Sequence, residues 1–351
     1  MPATIRIGRN TEICDASPCF IIAEIGQNHQ GDVAVAQKLI DIAKDCGADC
    51  VKFQKSCLEE KFTRESLQRP YVGPNSWGST YGEHKSRLEL SCDDFKALQC
   101  HAKKIGIMFT ASAMDPVSLD FLISLDVPFV KIGSGDSDNL PLIEEAAKSG
   151  KPLVISTGMQ DLEGVKRVKD TVEHYHKNFA FLHCVSSYPT KAVDANLSAI
   201  TTMKAEFPET VIGYSGHEEG FNISVAAAAL GAKIIERHIT LDKSMKGTDH
   251  ACSLAPDELR QMIRNIREIE SALGDGVKTI RKCEMPCFEK LGKTIVTSRD
   301  VKFGQILTAE DMKIKVAVKK GFLPHEFMEL IGRTVNRDLT KDETLTRDDL
   351  G

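Results

Sequence analysis

Between Cys19 and Leu273 the chain alternates short apolar runs with longer amphipathic stretches. The runs cover residues 20–24, 50–54, 107–110, 129–133, 153–156, 179–184, 211–214 and 233–238. Most are β-branched or aromatic and are bounded by Gly, Pro or polar residues, as buried strands are. Between them, apolar residues recur at helical spacing, as in Val35, Leu39, Ile40 with Ile42 and Ala43, or Leu142, Ile143, Ala146 and Ala147. Each set makes one apolar helix face. Eight βα units in roughly 250 residues predict an α/β chain folded as a (β/α)8 TIM barrel. An open doubly wound sheet competes, but no glycine-rich dinucleotide fingerprint follows the first strand. The longest insertion, residues 56–91, is rich in Pro, Gly, Tyr and charge. It reads as a lid or binding loop.

The pattern changes after Leu273. Gly274-Asp275-Gly276 closes the last amphipathic stretch, and from Lys290 the chain breaks into short pieces at 294–296, 313–318 and 333–335 with turns between them. The division expected is a barrel over 1–275, a connector over 276–289 and a small domain of short strands over 290–351. Some 60 residues of that kind can fold but are poor in core. No internal repeat and no low-complexity tract is apparent.

Composition narrows the function. The net charge of -5 leaves no footprint for nucleic acid. No apolar run approaches the roughly 20 residues of a membrane span, and the first residues, Met-Pro-Ala-Thr-Ile-Arg, lack a charged-then-apolar leader. Eleven scattered cysteines, an odd number, read as reduced thiols of a cytoplasmic protein. Cys283 and Cys287 have the spacing of a metal half-site, but no second pair follows.

In a TIM barrel the functional groups stand at the C-terminal strand ends. Those ends carry Glu24, Lys52 and Gln54, Thr110, Lys131 with Ser134 and Asp136, Ser156, Ser186 and Tyr188, Ser215 and His217, and His238. His217 and His238 close consecutive strands, so their imidazoles emerge at one edge. The last strand closes against the first, which brings Glu24 beside them. Two imidazoles and a carboxylate make an open site for Mn, Fe, Zn or Mg. Lysines inside apolar strands require an anion. Lys52 and Lys131, among serine and threonine hydroxyls, suit a ligand carrying phosphate and carboxylate. A Schiff-base lysine is the rival reading. Asp249, beside Gly247 in the loop after His238, is either a turn residue or a group that holds a sugar hydroxyl.

The segments 22–29, 51–54, 131–136, 155–159, 213–217 and 236–240 closely resemble sialic acid synthases, and 81–85 and 283–285 extend the likeness to the animal type. The stretch from Lys290 onward resembles that family's antifreeze-like (SAF, β-clip) domain. The resemblance implies condensation of phosphoenolpyruvate with an N-acetylmannosamine-type aldehyde, releasing phosphate, in a cytoplasmic, domain-swapped homodimer that needs a divalent metal, Mg or Mn. It assigns His217 and His238 to the metal. Lys52, Thr110, Lys131, Ser134, Ser156, Ser186 and Ser215 would bind phosphoenolpyruvate, and Gln54, Asp136, Tyr188 and Asp249 would orient the sugar. Glu24 would steady charge at the former enol carbon or guide the attacking water.

Bacterial members carry asparagine at the place of Ser186 and glutamate at that of Asp136. They also send an arginine from the tail domain into the partner's site, where this chain has Lys319 and Lys320. The animal-type likeness favours a 6-phosphorylated sugar, with the basic lid, at Lys61, Arg64 or Lys85, as the place for its phosphate. The alternatives are a synthase for the unphosphorylated sugar, a phosphoenolpyruvate-condensing barrel acting on a shorter sugar phosphate, and a non-catalytic binding protein.

Overall fold

A computed structural model describes residues 3–351 and divides the chain into two compact units, one ending at Gly274 and the other spanning Asp275–Gly351. In the first, a hairpin of β1 (Thr4–Ile7) and β2 (Thr11–Cys14) precedes eight parallel strands: β3 (Phe20–Gly26), β4 (Cys50–Lys55), β5 (Met108–Ala113), β6 (Val130–Ile132), β7 (Leu153–Ser156), β8 (Phe179–Cys184), β9 (Val211–Gly216) and β10 (Ile234–His238). They close into a barrel in sequence order, with β10 against β3. All eight predicted strands are present, and the (β/α)8 barrel expected from this patterning is the fold observed.

Alternation of side chains along the strands separates two cores. Outward residues such as Ile21, Val51, Phe53, Phe109, Ile155 and Phe181 pack under the helices. Inward residues Phe20, Ile22, Cys50, Phe129, Val154, Leu182, Val211 and Ile234 fill the interior near the strand starts. The β1–β2 hairpin adds Ile5, Ile7 and Ile13 to that inner cluster, so it plugs the N-terminal mouth. This hairpin was not expected from the pattern.

Each strand leads into a helix that crosses back over the barrel. Most helices are delimited by local chemistry. Helix α1 (Val33–Cys46) starts where Asp32 accepts from the N–H groups of Ala34 and Val35, and stops at Gly47, whose φ of 93° suits glycine. The predicted lid is not all loop: the short helices α2 (Leu58–Lys61), α3 (Arg64–Gln68) and α4 (Tyr81–Leu88) make up nearly half of it. Thr80 and Glu83 form a reciprocal capping box on α4. The remaining barrel helices are α5 (Cys92–Ile105), α6 (Pro116–Ser124), α7 (Leu140–Lys148), α8 (Leu162–Glu173), α9 (Ser198–Glu206), α10 (Asn222–Ala229) and α11 (Pro256–Leu273). No helix among the described residues is long and apolar enough to cross a membrane. All eleven cysteines are free thiols.

In the second unit, part of the stretch read as a connector forms α12 (Met285–Leu291), and β11 (Lys293–Thr297) pairs antiparallel with β12 (Met312–Val316). The piece at 333–335 makes only isolated bridges, Thr334 to Ile306 and Val335 to Leu350. A repeat missed in the sequence does appear here. Arg299, Thr308 and Asp311 recur with the same spacing as Arg337, Thr346 and Asp349. In each copy the arginine Nε and the threonine hydroxyl both donate to the buried aspartate at 2.7 Å. These charge-assisted bonds supplement a core of about ten apolar side chains.

His29, buried after β3, accepts at Nδ1 from the Gly31 N–H (3.0 Å). Burial pushes its pKa down to about 4. An unfolded histidine titrates near 6.5, so between these values the unfolded chain binds a proton that the folded chain does not. Stability is therefore expected to fall as pH drops from about 6.5 towards 4. Thermal unfolding across that range should show a flatter decline in His29→Gln than in the parent.

Candidate active site

The inward positions change character along each strand. Apolar residues at the strand starts give way to Glu24, Lys52, Ser112, Lys131, Ser156, Cys184, Ser215, Glu236 and His238, all lining one cavity of about 580 Å³ at the C-terminal mouth. Gln54, Lys61, Ser134, Asp136, Ser186, Tyr188 and His217 complete much of its wall.

On the floor lies a buried network of ion pairs. Lys52 Nζ is 2.8 Å from Glu24 and 3.6 Å from Glu236, and Lys131 Nζ is 3.8 Å from the same Glu236 oxygen. Lys52 also donates to Ser112 (3.0 Å), Lys131 to Ser156 (2.7 Å), Ser215 to Glu236 (3.2 Å) and Gln54 to Glu24 (3.0 Å). Burial works to raise Glu236, but Lys131 and Lys52 outweigh it and hold the carboxyl below its usual range. Burial pushes Lys131 down, whereas at Lys52 the two glutamates overcome burial and raise the pKa. Glu24 is raised by burial despite Lys52. The second oxygen of Glu236 has no hydrogen-bond partner among the described residues, and neither has the buried Ser186 hydroxyl. Both can receive a ligand.

Above this floor stand the two imidazoles, ring centres 5.5 Å apart, with Tyr188 stacked 4.1 Å from His217. Burial lowers both, His217 to about 4 with the neighbouring His238 lowering it further, whereas at His238 the Asp249 charge works against burial. Nδ1 of His217 faces the Val185 carbonyl at 3.2 Å, which fixes the proton there and leaves Nε2 as a lone pair. The buried Nδ1 of His238 has no partner. Neutral imidazoles with open nitrogens fit a divalent cation. The carboxylate expected as a third ligand is not free: Glu24 lies beside His238 in register but is bound to Lys52 and Gln54. No group of three or more His, Cys, Asp or Glu side chains is poised for a metal among the described residues. Substrate or water oxygens would have to complete the shell.

Two sequence expectations are displaced. Thr110 faces inward but one layer lower, donating to the Phe129 carbonyl at 2.6 Å. Ser112, two residues on, occupies the cavity wall in its place. Asp249 does not line the main cavity. It borders a small recess with Gln27, Trp77 and Lys85, though its charge is felt at His238. The other twelve expected residues all border the cavity, whereas Arg64 of the lid is exposed and outside it. Sequence reading missed Glu236, Ser112 and Gly158. A Cβ on Gly158 would lie 2.3 Å from the Ser186 Oγ and 2.6 Å from the Ser134 Oγ. Its N–H donates to Ser134 at 3.1 Å. Only glycine lets both hydroxyls approach there.

With the barrel and its site in view, comparison with known proteins defines the class. Residues 39–278 match the NeuB family and residues 292–351 match the SAF domain. The chain belongs to the NeuB family and carries a C-terminal SAF domain. It is 50% identical over 345 residues to the N-acetylneuraminate-9-phosphate synthases of Mus musculus and Homo sapiens, covering 98% of this chain and 96% of each relative. Identity to the Drosophila melanogaster protein of the same name is 48%, over 93% of this chain and 94% of that one. A solved sialic acid synthetase from Leptospira borgpetersenii serovar Hardjo-bovis superimposes with a TM-score of 0.73 at 34% identity, covering 82% of this chain and 96% of that one.

Glu236→Gln should leave two buried ammonium groups facing one carboxylate. Loss of one partner from such a network costs about 3–5 kcal/mol, visible as a lower melting temperature that added phosphoenolpyruvate partly restores. Gly158→Ala should instead leave melting nearly unchanged and raise KM for the anionic substrate about tenfold, as steady-state kinetics would show.

Proposed function

We propose that this protein condenses phosphoenolpyruvate with N-acetylmannosamine 6-phosphate to give N-acetylneuraminate 9-phosphate and phosphate. The observation that carries this reading is the pairing, in one cavity, of a lysine-and-serine floor with two neutral imidazoles. The floor offers fixed cations and hydroxyls to a small dianion or trianion. The imidazoles offer lone pairs to a metal that would polarise an aldehyde oxygen.

In this reading Lys131, Lys52 and the hydroxyls of Ser112, Ser134, Ser156, Ser186 and Ser215 hold phosphoenolpyruvate. Its methylene carbon is then presented to the aldehyde carbon of the sugar. His217 and His238 would hold a divalent metal, Mg or Mn, whose Lewis acidity makes the aldehyde susceptible to a weak enol-ether nucleophile. Tyr188, Gln54 and Asp136 line the adjoining wall, where they can take the sugar's polar groups, and Asp249 can act on the site through its charge. Bond formation leaves positive charge at the former enol carbon. In this reading Glu24, held between Lys52 and Gln54, steadies that charge or orients the water that adds there before phosphate departs.

The family's shared-site dimer finds partial support. The tail unit exposes Ile314, Val316 and Val318, a face suited to a second subunit. Lys320 is committed to the carbonyls of Gly292 and Ala317, whereas the Lys319 side chain is exposed. Of the two lysines, Lys319 is therefore the one free to reach another site. Light scattering in solution should give twice the chain mass.

The test is phosphate release from phosphoenolpyruvate with the free and the 6-phosphorylated sugar, before and after chelation. Release should require metal and favour the phosphorylated sugar. His217→Ala and His238→Ala should lose at least 10³-fold in kcat/KM while remaining folded, and Lys131→Ala should mainly raise KM for phosphoenolpyruvate. Equal use of both sugars would point to a synthase for the unphosphorylated sugar. No release with either would point to a binding protein.

A further inference from the structure

The floor network accounts for two of the cations bordering the cavity, but not for Lys61 in its wall, nor for Lys85, whose charge reaches Lys61 from a second recess. Lys61, at the end of α2, lines the cavity wall on the same side as Asp136 and Met114. Lys85, in α4, borders a separate small recess beside Gln27 and Asp249. Phe62 and Tyr81 stack edge to face between the two helices, ring centres 5.5 Å apart. Lys61 lies over the Phe62 ring (5.1 Å) and Lys85 over the Tyr81 ring (5.6 Å). An aromatic wedge thus carries an ammonium on either flank.

Neither ammonium is satisfied. An ammonium has three protons to donate. Among the described residues, Lys85 has one oxygen acceptor, Gln27 Oε1 at 2.9 Å, and Lys61 has only the Met114 sulfur at 2.7 Å. Among the described residues neither makes an ion pair within 4.0 Å. Asp136 is the carboxylate whose charge acts most on Lys61, yet it makes no ion pair with it, and two others nearby are committed elsewhere. Glu89 serves Lys55 and Ser56, and Asp115 serves Cys57 and Ser118. Burial depresses both lysines, and Lys85 depresses Lys61 further by repulsion. Holding like charges together, partly buried and unpaired, costs stability unless an anion joins them.

We infer that Lys61 and Lys85 form a phosphoryl subsite that binds the phosphate of the sugar substrate, separate from the Lys52–Lys131 floor that binds phosphoenolpyruvate. This rests on the proposed reaction and specifies where its second phosphate sits. The sugar's reacting carbon belongs beside His217 and His238, and its phosphate is at the other end of the six-carbon chain. That end needs a cationic group away from the imidazoles, at the rim, with sugar hydroxyls met on the way by polar groups such as Asp136. The two lysines also come from the insertion between β4 and β5 rather than from the strands. Sugar-phosphate selectivity is therefore carried by the lid, while the condensing machinery is carried by the barrel.

Steady-state kinetics of the full chain, with Lys61→Gln, Lys85→Gln and the double variant, tests this. Each single change should raise KM for N-acetylmannosamine 6-phosphate about tenfold or more, and the double change further. KM for phosphoenolpyruvate should move less than about threefold. Lys61→Arg, which keeps the charge, should recover most of the loss. The inference is overturned if the double variant keeps the parent KM for the sugar phosphate, or if both substrates weaken equally. If the parent itself shows no preference for the phosphorylated sugar, the proposed reaction fails first, and the variants are then compared for binding of inorganic phosphate. Unchanged phosphate affinity in the double variant would overturn the subsite as well.

Discussion

Glu236 is the pivot of the interior. Two lysines cannot be buried side by side in a barrel without a shared anion, because each carries a desolvation cost of several kcal/mol. Glu236 lies 3.6 Å from one and 3.8 Å from the other, and Glu24 takes the remaining valence of Lys52. The two lysines and two glutamates balance one another in charge. A trianionic substrate changes that balance by offering Lys52 and Lys131 a further anion, and the unpaired Ser186 hydroxyl is a donor it can use. The second Glu236 oxygen, an acceptor only, is left for a hydroxyl or water. The network is thus both what makes the interior foldable and what makes it receptive.

Much of this was legible in the sequence, and the failures have physical causes. The barrel followed from eight apolar runs because parallel strands, covered on both faces, read as nearly continuous apolar segments. The lysines stood out because they interrupted such runs. Glu236 was hidden for a related reason. It sits in Ile235-Glu236-Arg237-His238, where the neighbouring charge made it look like part of a polar strand end. Alternation would have found it, since residues two apart share a face and His238 points inward. Thr110 closes the apolar run 107–110, so patterning points to it and gives no sign of Ser112. The strand in fact continues through the small residues Ala111 and Ala113, whose modest hydropathy gives little signal.

Other features could be reached only through tertiary structure. The N-terminal hairpin is four residues on each side, too short for a confident periodicity. Its value lies in placing Ile5, Ile7 and Ile13 against residues from across the barrel. The tail's repeat is carried by three polar positions rather than by apolar spacing, so hydrophobic patterning passes over it. The glycine at 158 matters for what its absent side chain would strike, a relation between three loops that no local window contains.

Register is the constraint that joins fold to chemistry. A shift of one residue in β10 would turn Glu236 and His238 out of the barrel and Arg237 in. Arg237 guards against this from the outer face. It is fully buried there and donates to Glu218 (2.7 Å), Ser224 (2.9 Å) and the carbonyls of Glu218, Gly220 and Cys252. Glu218 is bound in turn by the Tyr214 hydroxyl at 3.0 Å and by Ser224, which ties β9 to the same lock. Gly216 leaves the space it needs: a Cβ there would lie 2.4 Å from the Glu218 carboxylate and 2.5 Å from the Tyr214 ring. Slippage would strand a guanidinium in the inner core and leave Glu218 unpaired, two errors that each cost more than a typical apolar substitution. The buried ion pair outside the barrel therefore serves the one inside it, by making the single register that delivers Glu236 and His238 to the cavity the only affordable one.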